Sequence, residues 1–120
     1  MPVNGPDFIS LQVRDMSLSA DFYETFLGLT RQPGPPHAVV FDTKPIAFAV
    51  RDAVVDLDSI DQPGQGMALW MHATEVQAIH DALATAGTPI VLEPMDGPFG
   101  RTFTFADPDA PRCRAHHRRA

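Results

Sequence analysis

Five histidines, one cysteine and fifteen acidic side chains are the groups of this 120-residue chain that could carry out chemistry. Their spacing decides which kinds are open. Cys113 is alone, so neither an intrachain disulfide nor a cysteine-based zinc cage can form. His37 lies in a Pro-rich turn, His72 at the end of a strand-like run, His80 on a helix-like run, and His116 and His117 in a basic ending. For His37, His72 and His80 a surface or hydrogen-bonded role is favoured over metal ligation, and the paired tail histidines can chelate adventitiously. No GxSxG elbow, Gly-rich phosphate loop or paired-carboxylate constellation is present, so nucleophilic and acid–base catalysis lack a candidate. Tyr23, the single tyrosine, follows Phe22 and is expected at a helix edge with its hydroxyl wet. Asp52, Asp56, Asp58 and Asp61 sit in RDAVVDLDSIDQPGQG. A solvated connection is the plain reading of that stretch, and an acidic rim that attracts a cation is the sharper one.

The elements that must position these groups follow from hydrophobic periodicity. In DFISLQVRD, Ile9, Leu11 and Val13 alternate with Phe8, Ser10 and Gln12, the period of a half-buried strand. Asp15 and Ser17 then offer capping side chains; Leu18, Phe22, Phe26 and Leu29 recur near helical spacing, and Gly28 supplies a stop. The pattern returns 58 residues later. Met67, Leu69 and Met71 alternate with Gly66, Ala68 and Trp70, Thr74 to Gln77 reads as a capping box, and Val76, Ile79 and Leu83 lead to Gly87. RQPGPPH and EPMDGPFG read as connections, followed by strands at 38–43 and 101–107, with one more at 46–51 after a short turn at Thr43-Lys44-Pro45. Each half is therefore close to βαβββ. One domain is expected: module one over 6–52, a linker over 53–65, module two over 66–109 and a basic tail over 110–120.

Charge is divided unevenly along the chain. Residues 1–109 hold five Lys or Arg against fifteen Asp or Glu, a formal −10, and the last eleven residues add four Arg for −6 in total. A nucleic-acid surface needs a basic face to displace counterions, which only the ending offers, so nucleic acid is not expected as a partner. The sequence has no long apolar run and no export-type start, so membrane insertion is not expected and the cytoplasm is the default location.

DFISLQVRDMSLSADFYETFLGL, DALATAGTPI and PFGRTFTFADPD together resemble the vicinal-oxygen-chelate superfamily of glyoxalase I, extradiol dioxygenases, fosfomycin-resistance enzymes and bleomycin-resistance binding proteins. The likeness spans about residues 6–109. It implies an α+β fold in which two βαβββ modules form an open barrel-like sheet around a concave cavity, often completed in a homodimer. On that fold Ile9, Leu11, Val13, Met67, Leu69, Met71, Ile46, Phe48 and Val50 go under the helices. Phe8, Ser10, Gln12, Gly66, Ala68, Trp70, Ala47, Ala49 and Arg51 go to the cavity side.

The resemblance also implies where a divalent ion would be held: on the first and last strands of each half. Those positions fall on Phe8, on Gly66, on Ala47 or Ala49, and in the stretch Ala110 to Arg114, none of which carries a carboxylate or imidazole. No metal and no cofactor are therefore expected, since a catalytic ion needs about three protein ligands. Phe8 becomes an aromatic wall in place of a ligand. The expected binding surface is Phe8, Ser10, Gln12, Ala49, Arg51, Gly66, Trp70, Phe99 and Arg101. It suits a large, partly planar small molecule, and the acidic body favours a cationic one. The chain is thus closest to the metal-free bleomycin-resistance branch, a homodimeric binder of an antibiotic or other natural product. A metal-dependent lyase, isomerase or dioxygenase, and a structural dimer with a filled cavity, are the alternatives.

The ending DPDAPRCRAHHRRA departs from the family pattern. A strand over Arg112 to His116 would have poor β-propensity, like charges on one face and no aliphatic to bury, so the last strand of module two is doubtful. Arg, Ala, Pro and His are also what GC-rich coding DNA yields out of frame, which leaves a shifted reading frame open as the origin of this ending.

Overall fold

The computed structural model describes residues 2–62, 64, 66–98, 100–109 and 112–116, with backbone alone at 112–114 and 116. The chain forms two compact units, divided after Ser59. Both have the same connectivity, so the repeat is one of structure, with β1 and β5 and likewise α1 and α2 starting 60 residues apart and not the expected 58. In the first, β1 (Phe8–Val13), α1 (Met16–Leu27), β2 (Arg31–Gln32), β3 (Ala38–Phe41) and β4 (Ala47–Asp52) give a four-stranded sheet of order β1-β4-β3-β2. In the second, β5 (Ala68–His72), α2 (Val76–Thr85), β6 (Ile90–Gly97), β7 (Gly100–Ala106) and β8 (Arg112–His116) give the order β5-β8-β7-β6. The outer strands β1 and β5 run parallel to their neighbours β4 and β8, and the other pairs are antiparallel. This is an α+β fold built from two βαβββ modules.

In the first module α1 begins where Asp15, in an extended conformation, accepts the Leu18 amide on its side chain at 3.0 Å. It ends at Gly28, whose φ of 69° is left-handed and whose amide bonds the Glu24 carbonyl at 3.1 Å. The helix lays Phe22 and Tyr23 on the sheet. Tyr23 is fully buried, with its ring 5.0 Å from Phe48 and 6.1 Å from Phe41, so the wet hydroxyl expected from the sequence is not found. Phe41 and Phe48 stack at 5.8 Å, and Val13 and Val50 complete the core. The period of two decides this, because Phe48 and Val50 align with Ile9 and Leu11 on the side that meets α1.

The second module is built on Leu83 and Val76 of α2 against Phe103 and Phe105 of β7, all buried. Here α2 starts at Val76 after Glu75 with no side-chain cap, so the capping box read in Thr74 to Gln77 does not form. Its far end closes on Gly87 at φ 83°, with Thr88 N–H bonded to the Leu83 carbonyl at 3.0 Å and Gly87 N–H to that of Ala84 at 3.1 Å.

Three strands depart from expectation. β2 falls inside RQPGPPH, where Arg31 and Gln32 pair with Phe41 and Val40. β6 runs through EPMDG, read above as a connection. It is an edge strand, and the register shifts between Ile90 and Leu92 and between Leu92 and Met95, so Pro94 removes no ladder bond that the sheet needs. β8 forms despite its composition because it is a central strand, held by β5 on one side and β7 on the other. Pairing from both sides overrides weak β-propensity, and Ala115, 2% exposed, is the small side chain that it buries.

The acidic linker has structure of its own. Leu57–Ser59 form one 3-10 turn with Leu57 buried, Ser59 Oγ donates to the Asp56 carbonyl at 2.7 Å, and Arg14 Nε pairs with Asp58 Oδ1 at 2.8 Å. No helix among the described residues is long and apolar enough to cross a membrane.

Candidate functional site

Each sheet has one face under its helix and one face away from it, and the away-facing positions follow from register. In module one they are Phe8 with Ala47, then Ser10 with Ala49 and Val40, then Gln12 with Arg51 and Ala38. Phe8 is half exposed at 51%, and Ser10 is exposed. Ala49 takes an away-facing register position but is only 1% exposed, so it offers a ligand little surface. Gln12 is half-buried, and its side-chain carbonyl accepts the Val54 amide at 2.8 Å. That bond ties down the segment after β4 and leaves the amide nitrogen of Gln12 as its donor. Arg51 is half-buried, with Nε donating to the Asp52 carbonyl at 3.2 Å.

In module two the corresponding rows are Ala68 with Arg112 and Ala106, Trp70 with Arg114 and Thr104, and His72 with His116 and Thr102. Trp70 is 47% exposed. Gly66 lies ahead of β5, in an exposed turn at φ 85°, so Ala68 is the residue that opens this strand as Phe8 opens β1. Neither Ala68 nor Phe8 can ligate a metal. Phe99 lies outside the described residues. Arg101 is exposed but alternates with Phe103 and Phe105, which places it on the helix side of the sheet, away from Trp70. There it borders an open depression of about 430 Å³ with Thr74 to Ala78, and its Nη1 lies 3.5 Å from Asp96 Oδ1.

The structure therefore brings Phe8, Ser10, Gln12 and Arg51 together on one face, and places Trp70 on the corresponding face of the other module. It sets Gly66 and Arg101 apart and hides Ala49. Sequence reasoning did not supply the strand register, in which His72 aligns with His116 and Trp70 with Arg114. No local pattern announces which residue of β8 meets which residue of β5.

His80 is a titratable group held between two carboxylates. Its ring packs edge-on to Phe103 at 5.4 Å between centroids. Nδ1 lies 2.9 Å from Asp81 Oδ1, and Nε2 lies 2.8 Å from Glu93 Oε2, at ion-pair distance though not aligned as a hydrogen bond. The Asp81 hydrogen bond, opposed by partial burial and helped by Glu93, raises its pKa above that of an ordinary histidine, and Asp81 is lowered in return. This cluster joins α2 to β6 on the helix side. Among the described residues, no group of three or more His, Cys, Asp or Glu side chains is placed to hold a metal ion.

The fold recurs in solved structures. A glyoxalase-related enzyme from Fulvimarina pelagi matches with a TM-score of 0.77 at 22% identity, over 96% of this chain and 88% of that one. TnmS3, an antibiotic binding protein from Streptomyces sp. CB03234, matches with 0.70 at 23% identity over 99% of each chain. A lactoylglutathione lyase from Agrobacterium tumefaciens matches with 0.70 at 18% identity over 98% and 96%. At such identities the likeness establishes the fold, which here serves both an enzyme and a binding protein. No curated protein sequence matches the chain. The family model for the Glyoxalase/Bleomycin resistance protein/Dioxygenase superfamily matches residues 5–110, nearly the whole length, and the chain belongs to that superfamily.

Proposed function

We propose that this protein binds a partly planar small molecule, of the antibiotic or natural-product class, without a metal ion. One observation carries the reading: Phe8 and Trp70 stand 51% and 47% exposed on the away-facing sides of β1 and β5, the strands where metal-dependent relatives would place ligands. An aromatic ring left half in water on a rigid strand supplies flat apolar area at little entropic cost, which is what a ligand-binding wall requires. The neighbouring positions Ala47, Ser10 and Ala68 are small, which leaves room above the sheet. The antibiotic-binding TnmS3 shares the fold over its full length, which supports the same use here. A homodimer belongs to this proposal: β6 is a sheet edge with Val91, Leu92 and Met95 exposed, and sedimentation at twice 13.1 kDa is its check.

Trp70 is the only tryptophan, so its fluorescence is a local probe. Titration with a panel of aromatic natural products, chelator present throughout, is expected to give saturable quenching by at least one class. A Trp70 that neither these compounds nor acrylamide can quench would overturn the reading, and binding that chelator abolishes would overturn its metal independence.

A further inference from the structure

We propose that the open face of the first module's sheet holds an oxyanion on Arg51 and Gln12, so that the ligand is an elongated acid with its ring at one end and a carboxylate or similar group at the other. This rests on the reading of Phe8 as a binding wall and adds the charge and length of what binds there. Gln12 and Arg51 are register partners on β1 and β4, adjacent strands about 4.8 Å apart, and both take the away-facing side.

The hydrogen bonds leave donors on both residues. Gln12 Oε1 accepts the Val54 amide at 2.8 Å, which fixes the oxygen end of the carboxamide and leaves its NH2 group as the donor. Arg51 donates from Nε to the Asp52 carbonyl at 3.2 Å, which uses one N–H of the guanidinium and leaves those of its two terminal nitrogens. All fifteen Asp and Glu of the chain are among the described residues, and none lies at ion-pair distance from Arg51. Arg14, Arg31, Lys44 and Arg101 are each paired with a carboxylate.

The face around Arg51 is equally bare of acid among the described residues. The away-facing rows of β1, β4 and β3 otherwise hold alkyl, aromatic and neutral polar side chains, and Gln32 of β2 joins them opposite Val40. Asp52, next to Arg51 in β4, aligns with the buried Val13 and so takes the helix side. A half-buried guanidinium that gives up hydration with no carboxylate in exchange is a cost to the free protein. A ligand oxyanion offsets it: the guanidinium fork donates two parallel hydrogen bonds and the Gln12 amide adds a neutral one. Length follows from the strand. Phe8 and Gln12 are four residues apart on β1, about 13 Å at the rise of a parallel strand, with Ser10 exposed between them and Ala47 small beside Phe8. Ring and anion therefore sit at opposite ends of one lane.

The test uses three probes with one ring and one spacer: 6-(2-naphthyl)hexanoate, 6-(2-naphthyl)hexanamide and 6-(2-naphthyl)hexylammonium, titrated calorimetrically into the full chain with chelator present. The acid is expected to bind about tenfold or more tighter than the amide and the ammonium. Arg51→Gln is expected to bring the acid-to-amide ratio close to one, and Arg51→Lys, which keeps the charge and loses the fork, to leave it in between. Phe8→Ala is expected to weaken acid and amide together. Far-UV circular dichroism reports whether each variant is folded, and the lysine variant decides if the glutamine one is not. Amide or ammonium binding as tight as the acid, or an acid preference undiminished in both Arg51 variants, overturns the anion site, and a Phe8→Ala loss shared by acid and amide then still upholds the wall. Phe8→Ala affinities equal to wild type, with the ratio lost in Arg51→Gln, overturn the wall and uphold the anion site. Failure of all three probes to bind at millimolar concentration overturns both.

Discussion

Phe8→Ala and Phe48→Ala make the same chemical change on two strands in the same sheet, and the structure predicts very different outcomes. Phe48 is 4% exposed and lies between the rings of Tyr23 and Phe41 at 5.0 and 5.8 Å. Its truncation removes a buried ring and leaves a void that a close-packed aromatic cluster cannot collapse, a cost of about 3–5 kcal/mol. Phe8 already has 51% of its surface in water and closes no cavity of its own module. Full burial of a phenylalanine is worth about 1.5–3 kcal/mol, so losing the covered half costs about 1 kcal/mol, with no cavity contribution. The gap is therefore about 3 kcal/mol, or a separation of about 1–3 M in urea midpoint for a small domain. Urea unfolding followed by far-UV circular dichroism measures it, with Phe48→Leu as the milder substitute if the alanine variant is unfolded at the start. Equal losses from Phe8→Ala and Phe48→Ala would refute the reasoning, because Phe8 would then be filling space rather than facing a ligand.

The histidine on α2 gives a pH prediction. Since His80 is raised in the folded state, its contribution is fully present below the ordinary histidine pKa of about 6.5 and is lost as pH rises through the folded value. The wild-type thermal midpoint should fall across that window relative to His80→Gln, and parallel pH profiles would remove the Asp81–His80–Glu93 cluster from the account. Asp15→Ala should destabilise by about 1 kcal/mol because it removes the bond to the Leu18 amide, while Glu75→Ala at the uncapped start of α2 should change stability by less than about 0.5 kcal/mol. Gly28→Ala should cost about 1 kcal/mol from the left-handed φ of 69°, a loss that Gly28→Asn partly recovers; both are read by thermal unfolding.

Alternation and helical periodicity made β1, α1, β3, β4 and β7 legible, because each buries one face and its residues say so. β2 and β6 were hidden by proline and glycine, which signal connections unless the strand is known to lie at an edge, and edge position is a property of topology. Tyr23 was misread for a related reason: a single tyrosine in a helix does not disclose that Phe41 and Phe48 close over it from two strands distant in sequence. The missing cap on α2 shows the limit of a motif, since Thr74 to Gln77 has the residue types of a capping box without its bonds. Of the residues expected on the binding surface, Phe8, Ser10 and Trp70 take away-facing strand positions, as alternation alone predicts. Ala49 takes such a position yet is 1% exposed, which alternation does not disclose, and Arg101 follows the parity of Phe103 and not that of Trp70.

The acidic balance of the chain is the basis for expecting a cationic ligand, but net charge and recognition act over different ranges. Net charge governs solubility and long-range approach, whereas recognition depends on groups within a few ångströms of the bound molecule. Four of the five cationic side chains in residues 1–109 have acidic partners: Arg14 with Asp58, Arg31 with Asp21 and Glu24, Lys44 with Asp42, and Arg101 with Asp96. Arg51 bonds instead to the Asp52 carbonyl on the away-facing side of the first sheet. Net charge therefore says little about the groups nearest Phe8, where register sets Gln12 and Arg51 in one row of the first sheet.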